Sequence, residues 1–174
     1  MDKLLDLDTS LFQFVNLQSH PVWLDQFMLF ISNRFVWSVF FAGVLVLSIW
    51  KRRYNFVAGL ILVGIAVGVT DYVTYQFLKP HFARPRPCHQ PIEFRLVQEG
   101  CGGDWGFPSN HAANAGAVVA TVGLQFRKRR ATAVIAITSL LVGFSRIYLG
   151  AHFPGDVLAG FLVGMAIASL IWLM

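Results

Sequence analysis

Three ionisable side chains lie close together near the carboxyl end of the sequence, directly after an apolar run. Arg146, His152 and Asp156 fall within eleven residues of one another. An imidazole beside a carboxylate can act as a nucleophile or as a general acid or base. An arginine offers paired N–H donors that match phosphate oxygens. Because His152 and Asp156 would also suit a structural hydrogen-bonded pair, this stretch alone leaves both interpretations open.

Two other stretches carry groups of the same kind. In KPHFARPRP, Lys79 and Arg86 stand seven positions apart, and in FPSNHAAN, Ser109, Asn110 and His111 lie at a predicted helix start. Cations at a helix end commonly contact lipid headgroups, and a serine is a common helix N-cap. Each cluster is therefore a weak signal alone, and its meaning depends on whether the fold brings the three together.

The composition predicts a membrane protein. Apolar residues make up 56% of the chain and charged residues 13%, whereas soluble proteins have about 45–50% and about 25%. The net charge of +5 is concentrated in two short basic clusters, 51–53 and 127–130. Short basic connections between apolar runs are typical of cytoplasmic loops, so nucleic acid is not expected as a partner. The length favours a single membrane-embedded domain over residues 1–174.

The apolar segments predict an all-α integral membrane bundle of five to six transmembrane helices. A helix needs about 17 to 25 residues to cross the hydrocarbon. Residues 1–34 predict an amphipathic helix followed by a second apolar stretch, which suits an interfacial or re-entrant element. The candidate spans are 35–50, 56–78, 112–126, 131–149 and 157–174.

The two basic clusters also predict the topology. If both lie in the cytoplasm, the carboxyl terminus is cytoplasmic, and the loop 79–111 and the turn 150–156 share the opposite face. The loop is rich in proline and glycine, which excludes one long helix. Cys88 and Cys101, the only cysteines, both lie in it and would form a plausible disulfide on an oxidising exterior. With the opposite topology they would be free thiols.

Two other features receive structural interpretations. Asp71 lies inside an apolar span, and we expect it to have a partner within the bundle. His81 and His89 lie near the cysteines, but the spacings match no familiar zinc pattern, so no metal site is predicted.

Together, the three clusters on one face predict a site for a tetrahedral phosphate dianion. Lys79, Arg86 and Arg146 can neutralise its oxygens, and a helix beginning near Ser109 adds N–H groups and the positive end of its dipole. The two histidines remain for chemistry: one neutral imidazole as nucleophile and a second, protonated imidazole as acid. This chemistry requires neither metal nor other cofactor.

These three motifs resemble those of the type 2 phosphatidic acid phosphatase family, membrane lipid phosphate phosphatases related to soluble bacterial acid phosphatases and vanadium haloperoxidases. The family pattern is Lys, six residues and Arg-Pro; Pro-Ser-Gly-His; and Ser-Arg, five residues, His, three residues and Asp. The sequence departs from it at one position, where Asn110 replaces the glycine. The matching residues are Lys79, Arg86, Pro87, Pro108, Ser109, His111, Ser145, Arg146, His152 and Asp156.

The resemblance implies a role for each residue. His152 would form a phosphohistidine, Asp156 would orient it, and His111 would protonate the leaving lipid oxygen and then activate water. The phosphate would be held by Lys79, Arg86, Ser109, the Asn110 amide and Arg146.

The implied enzyme removes a terminal phosphate from a membrane lipid at the outer leaflet of a bacterial inner membrane. Undecaprenyl diphosphate, phosphatidylglycerol phosphate, phosphatidic acid and lipid A all suit the motifs. Two alternatives stay open: a lipid-to-lipid phosphotransferase of the same superfamily, and a non-catalytic bundle that binds or translocates lipids.

Overall fold

The computed structural model describes residues 2–174, and its regular structure is helical. Within that range the only strand-like pairing is an isolated bridge between Pro85 and Trp105. The prediction of an all-α fold is therefore confirmed. The α-helices are α1 (Asp2–Asn16), α2 (Val22–Ser32), α3 (Arg34–Trp50), α4 (Tyr54–Val73), α5 (Lys79–Phe82), α6 (Asn110–Phe126), α7 (Arg129–Tyr148) and α8 (Pro154–Leu173).

Within residues 2–174, three continuous helices are long and apolar enough to cross a membrane, namely Tyr54–Phe82, Arg129–Tyr148 and Pro154–Leu173. A fourth candidate is the pair α2 and α3, which is bent by 55°. The break falls at Asn33, whose side-chain oxygen accepts the Phe35 N–H at 2.8 Å. These helices fit a membrane protein, while a total of five or six spans stays a prediction.

The helix that begins at Tyr54 is longer than the sequence predicts. We expected it to end at Leu78, but a π-helical turn (Thr74–Leu78) leads without a break into α5, which ends at Phe82. Pro80 follows the π-helical turn, after Lys79, and does not end the helix, although a proline within a helix removes one N–H donor. The 29 residues span roughly 43 Å at 1.5 Å per residue, compared with about 30 Å of hydrocarbon.

α1 is the amphipathic element predicted for the amino-terminal segment. Phe12 and Asn16 are fully buried, whereas Leu4, Leu7 and Phe14 are exposed. The helix packs against α7 and α8. It therefore contributes to the same end of the bundle as the predicted site residues.

α6 and α8 pack closely because small residues face each other. A side chain added at Gly160 would meet the Ser109 carbonyl, and one added at Gly164 would meet the Ala113 carbonyl. Small residues allow such close backbone approach between membrane helices. This contact fixes the start of α6 relative to the start of α8, where most of the predicted chemistry lies.

The segment between α5 and α6 covers the same end of the bundle. A 3₁₀ turn (Pro87–His89) opens it, and a disulfide joins Cys88 to Cys101 with their Cα atoms 6.2 Å apart. The Val97 N–H donates to the Leu149 carbonyl at 3.2 Å, and the Asn16 amide donates to the Arg95 carbonyl at 2.8 Å. The loop is thus fastened to both α1 and the end of α7.

Candidate active site

Helix ends on one side of the bundle bring the predicted site residues together. Arg86 and His152, which lie in the connecting segments, are in direct contact there. Four more of the predicted residues lie at or beside the ends of helices. These are Lys79 at the start of α5, Ser109 before α6, Arg146 in the last turn of α7 and Asp156 in the first turn of α8.

His152 lies between a carboxylate and a guanidinium. Its Nδ1 is 3.4 Å from Asp156 Oδ2, and its Nε2 is 3.3 Å from Arg86 Nη1. A carboxylate only accepts and a guanidinium only donates, so Nδ1 carries the proton and Nε2 presents a lone pair. The reactive nitrogen therefore points toward a cation that can hold phosphate.

The surroundings of His152 keep its imidazole neutral. Burial lowers the pKa of His152 well below its usual value, and the positive charges of Arg86, Arg146 and Lys79 lower it further. Burial also lowers the pKa of the Arg86 guanidinium. A neutral imidazole with a free Nε2 lone pair is the form that can attack phosphorus.

The three predicted phosphate-binding cations are held by oxygens of the protein. Lys79 Nζ donates to the carbonyls of Trp105 at 2.9 Å and Gly106 at 3.2 Å. Arg86 Nη1 donates to the Ala151 carbonyl at 3.3 Å. Arg146 Nη1 donates to the Ser32 hydroxyl. These contacts orient the cations without neutralising them.

Several buried donors at this site have no hydrogen-bond partner within residues 2–174. They are Arg86 Nε, Arg146 Nε and the Ser109 hydroxyl. An unpaired buried polar group costs about 1 to 3 kcal/mol, and most such groups are paired in folded proteins. Three unused donors from three separate elements are suited to a ligand with several acceptor oxygens, such as phosphate.

Ser109 occupies the N-cap position of α6 but does not cap the helix with its side chain. Its hydroxyl makes no capping bond, and its N–H donates to the Asp156 carbonyl at 2.9 Å. The interpretation of Ser109 as an ordinary capping hydroxyl is therefore wrong. Its hydroxyl remains available at the positive end of the α6 dipole.

Asn110 directs its side chain into the bundle. Its amide nitrogen lies 3.0 Å from Asp71 Oδ1, which also accepts from the Asn114 amide at 2.9 Å. Asp71 thus has the bundle partners that its position within an apolar span requires. The extra side chain at the family's glycine position binds α4.

His111 is fastened to the break between α2 and α3. Its Nε2 lies 3.1 Å from the Ser32 carbonyl. Because a carbonyl only accepts, Nε2 carries a proton and Nδ1 is the nitrogen left for proton exchange. The Ser32 hydroxyl contacts Arg146, so a single residue orients two members of the predicted site.

Arg84 is not among the site residues predicted from the sequence, but its side chain contacts Asp156. Its Nη1 donates to Asp156 Oδ1 at 2.7 Å, and its Nη2 donates to Asp8 Oδ2 at 2.6 Å. The only hint in the sequence is its place two residues before Arg86, on the other side of Pro85.

Cys88, His89 and Cys101 bring their potential metal-ligand atoms within 4.8 Å of one another. The two cysteines are joined in the disulfide. A cysteine binds a metal ion as the thiolate, so this group does not fit a metal ion while its two cysteines are joined in the disulfide.

An apolar helical bundle with clustered cations, two histidines and a carboxylate at one end defines a membrane protein suited to handling phosphate esters. A family model described as the PAP2 superfamily matches residues 59–174. The chain belongs to the PAP2 superfamily, which confirms the family resemblance. Phosphatase activity is confirmed at the level of this family.

Relatives and a solved structure agree with this assignment. The chain is 34% identical to a lipid A 4'-phosphatase of Bacteroides thetaiotaomicron, over 92% of this chain and 73% of the relative. It is 31% identical to the undecaprenyl-diphosphatase BcrC of Bacillus subtilis, over 88% and 76%. The crystal structure of Aquifex aeolicus LpxE superposes with a TM-score of 0.75 at 27% identity, covering 97% and 96% of the two chains.

Proposed function

We propose that this chain removes a phosphate group from a membrane lipid through a phosphohistidine formed at His152. The observation that carries the proposal is the buried His152 Nε2 lone pair beside the unused donors of Arg86, Arg146 and Ser109. A nucleophile beside a set of unpaired donors is the arrangement that phosphoryl transfer needs, because that reaction depends on positioning and on charge stabilisation.

The cationic groups would bind the phosphate before reaction. Lys79, Arg86 and Arg146 would neutralise its oxygens, while the Ser109 hydroxyl and the Asn110 backbone N–H would donate from the start of α6. Their combined positive charge performs the charge neutralisation for which other phosphatases use metal ions. The proposed reaction therefore uses no metal or other cofactor.

In the first step, His152 Nε2 attacks phosphorus and forms the P–N bond while the bond to the lipid oxygen breaks. His111 gives a proton to that departing oxygen, and the lipid product leaves. Asp156 accepts the Nδ1–H of His152 and stabilises the positive charge that develops on the ring.

In the second step, His111 takes a proton from water, whose oxygen attacks phosphorus. The P–N bond breaks, inorganic phosphate is released, and His152 returns to its neutral form. One water is consumed for each phosphate released.

The substrate class is a lipid phosphate, for which undecaprenyl diphosphate, lipid A, phosphatidylglycerol phosphate and phosphatidic acid are the candidates. Lipid A and undecaprenyl diphosphate appear in the names of the two relatives described above. The apolar surfaces of the spanning helices would hold the acyl or prenyl chains in the bilayer while the phosphate enters the site.

We also propose that the chain forms a single domain of five spans, built from the α2–α3 pair, α4 with α5, α6, α7 and α8. The basic turns around Arg52 and Arg127 lie at the opposite ends of α4 and α6 from the candidate site. The positive-inside rule then places those turns and the carboxyl terminus in the cytoplasm, and the site on the outer side of a bacterial inner membrane.

The test is phosphate release by purified protein from a panel of these four lipids, with His152→Ala as the inactive variant. The wild type should release phosphate and the variant should not, although it should still bind lipid phosphate. Since members of one catalytic unit act non-additively, adding His111→Ala should cost little more. Near-wild-type turnover by His152→Ala would reject the assignment of the nucleophile. Lipid phosphate binding without phosphate release or transfer by the wild type would instead favour the non-catalytic bundle.

A further inference from the structure

Arg84 lies between two carboxylates that belong to different helices. It donates to Asp156 Oδ1 of α8 at 2.7 Å and to Asp8 Oδ2 of α1 at 2.6 Å. The other oxygen of Asp156, Oδ2, contacts His152 Nδ1 and accepts the Phe153 N–H at 3.1 Å. The two oxygens of Asp156 therefore have separate partners, one for Arg84 and one for the histidine.

α1 and Arg84 together make three contacts with the turn that follows His152. Asp8 Oδ1 accepts the Gly155 N–H at 2.7 Å. The Phe12 and Phe153 rings pack with their centroids 5.2 Å apart. The Arg84 guanidinium lies over the Phe153 ring, 4.5 Å from its centroid. Contacts from α1 and Arg84 thus fix the position of the turn between His152 and Asp156.

The contacts of Arg84 differ from those of the phosphate-binding arginines. Both terminal nitrogens of Arg84 are engaged with carboxylates, whereas Arg86 and Arg146 each keep a buried Nε without a partner in the described chain. A guanidinium that is already paired with two carboxylates is poorly suited to bind a phosphate as a third anion.

Charged groups from several elements surround Asp156. They comprise direct partners and more distant cations whose fields reach the carboxylate. Arg84 makes the shortest charged contact, and Asp8 offsets part of its charge from the far side. The full set is Lys79 of α5, Arg84 and Arg86 of the loop, His152 of the turn and Asp8 of α1.

We infer that Arg84, held in place by Asp8, is a positioning residue for the His152–Asp156 pair, so that α1 completes the catalytic unit. This inference rests on the proposed function. Arg84 favours the ionised form of Asp156 and holds Oδ1, so that Oδ2 faces His152 Nδ1 and the Nε2 lone pair is directed at phosphorus.

The test compares Arg84→Gln, Arg84→Lys and Asp8→Asn with the wild type in pH profiles of kcat and in vanadate inhibition. Without the Arg84 charge, Asp156 takes up a proton more readily, because an adjacent arginine commonly shifts a carboxyl titration by about 1 to 3 pH units. In Arg84→Gln, the acid limb of kcat should move up by about one pH unit, and kcat should fall at least about tenfold at neutral pH. The vanadate inhibition constant should rise as kcat falls, because a vanadate that mimics the reacting phosphoryl group also engages His152 Nε2.

The other two variants separate charge from geometry. Arg84→Lys keeps a cation but lacks the planar fork that reaches two carboxylates. The acid limb of its kcat profile should therefore return to the wild-type pH, while kcat itself should recover only in part. Asp8→Asn leaves Arg84 in place with a weaker anchor, so it should lower kcat less than Arg84→Gln does. If Arg84→Gln fails to fold, the nearly isosteric Asp8→Asn still tests the proposal through kcat.

Arg95→Gln is the matched control. Arg95 lies in the same loop as Arg84, but it pairs with Asp25 of α2, at a distance of 3.0 Å, and not with Asp156. The control variant should leave the kcat profile unchanged. An equal shift of the profile in Arg95→Gln would assign the effect to general loop packing and overturn the inference. So would unchanged kcat profiles in both Arg84→Gln and Asp8→Asn, or a raised vanadate inhibition constant with unchanged kcat. A wild type that releases no phosphate from any lipid would instead reject the proposed function itself.

Discussion

Replacing Asn110 by the glycine that its family carries should reduce stability while leaving catalysis nearly intact. Asn110 is buried, and its amide lies 3.0 Å from the Asp71 carboxylate and 3.3 Å from the Asp71 carbonyl. Its proposed contact with phosphate is made by the backbone N–H, which glycine also has. The substitution therefore removes the link to α4 but keeps the phosphate contact.

The expected loss follows from these contacts. A hydrogen bond to a charged group contributes about 1.5 to 3 kcal/mol, and glycine adds little to the cost because Asn110 is the first residue of α6 rather than an interior one. Asp71 keeps its bond from Asn114, which limits the penalty for leaving it unpaired. Asn110→Gly should thus lower the free energy of unfolding by about 2 kcal/mol. For a chain of this size, that loss lowers Tm by about 4 to 8 °C.

The assay is thermal unfolding of purified protein in one detergent, together with phosphate release measured well below Tm. Asn114→Ala is the matched control, because it removes the second amide from the same Asp71 oxygen one helical turn away from Ser109. Both variants should lose stability and keep kcat and KM within about threefold. A tenfold loss of kcat/KM in Asn110→Gly alone, with Tm unchanged, would refute the reasoning and place the Asn110 side chain in the catalytic pocket.

Three further predictions concern protonation, cofactors and sidedness. His152 should stay neutral well below its ordinary pKa of about 6.5, so a nitrogen NMR titration should show no midpoint for it between pH 8 and 6.5. A midpoint inside that window, on a resonance that disappears in His152→Ala, would contradict the burial argument. Phosphate release should persist in EDTA and be inhibited by vanadate, because the clustered cations supply the positive charge; loss on chelation that magnesium or zinc restores would point to metal-dependent chemistry. In intact cells or spheroplasts, an impermeant thiol reagent should label Cys88 and Cys101 only after impermeant reduction, and labelling only after permeabilisation of the inner membrane would place the site in the cytoplasm.

The parts of the fold that follow local rules could be predicted from the sequence. The length of the apolar segments alone placed α6, α7 and α8 within a few residues of their observed bounds. The sequence placed His152 and Asp156 four residues apart as a candidate pair, and their side chains are in contact. Basic turns at 51–53 and 127–130 indicated which helix ends lie opposite the site, because helices in a bundle alternate in direction.

The parts that depend on distant side chains could not be predicted. Asp8 and Gly155 are 147 residues apart in the chain, and no periodicity links them. The direction of the Asn110 side chain depends on a rotamer and on the position of Asp71 across the bundle. Likewise, the π-helical turn Thr74–Leu78 that carries the helix past Lys79 has no distinct sequence signal, because its residues are ordinary helix formers in an apolar run.

The length of the Tyr54–Phe82 helix has a consequence for how lipids are selected. It exceeds the hydrocarbon thickness by roughly 13 Å, or about nine residues, and Lys79 lies within that excess at the site end. In an upright helix, the proposed phosphate-binding groups would lie above the acyl chains, at the level of the lipid headgroups. We expect the enzyme to discriminate by how far a phosphate stands from its anchored tail, so that lipids of unrelated chemistry share the site when their phosphates reach the same height. Thinner or thicker synthetic bilayers should then change the preference among substrates without any change in the protein.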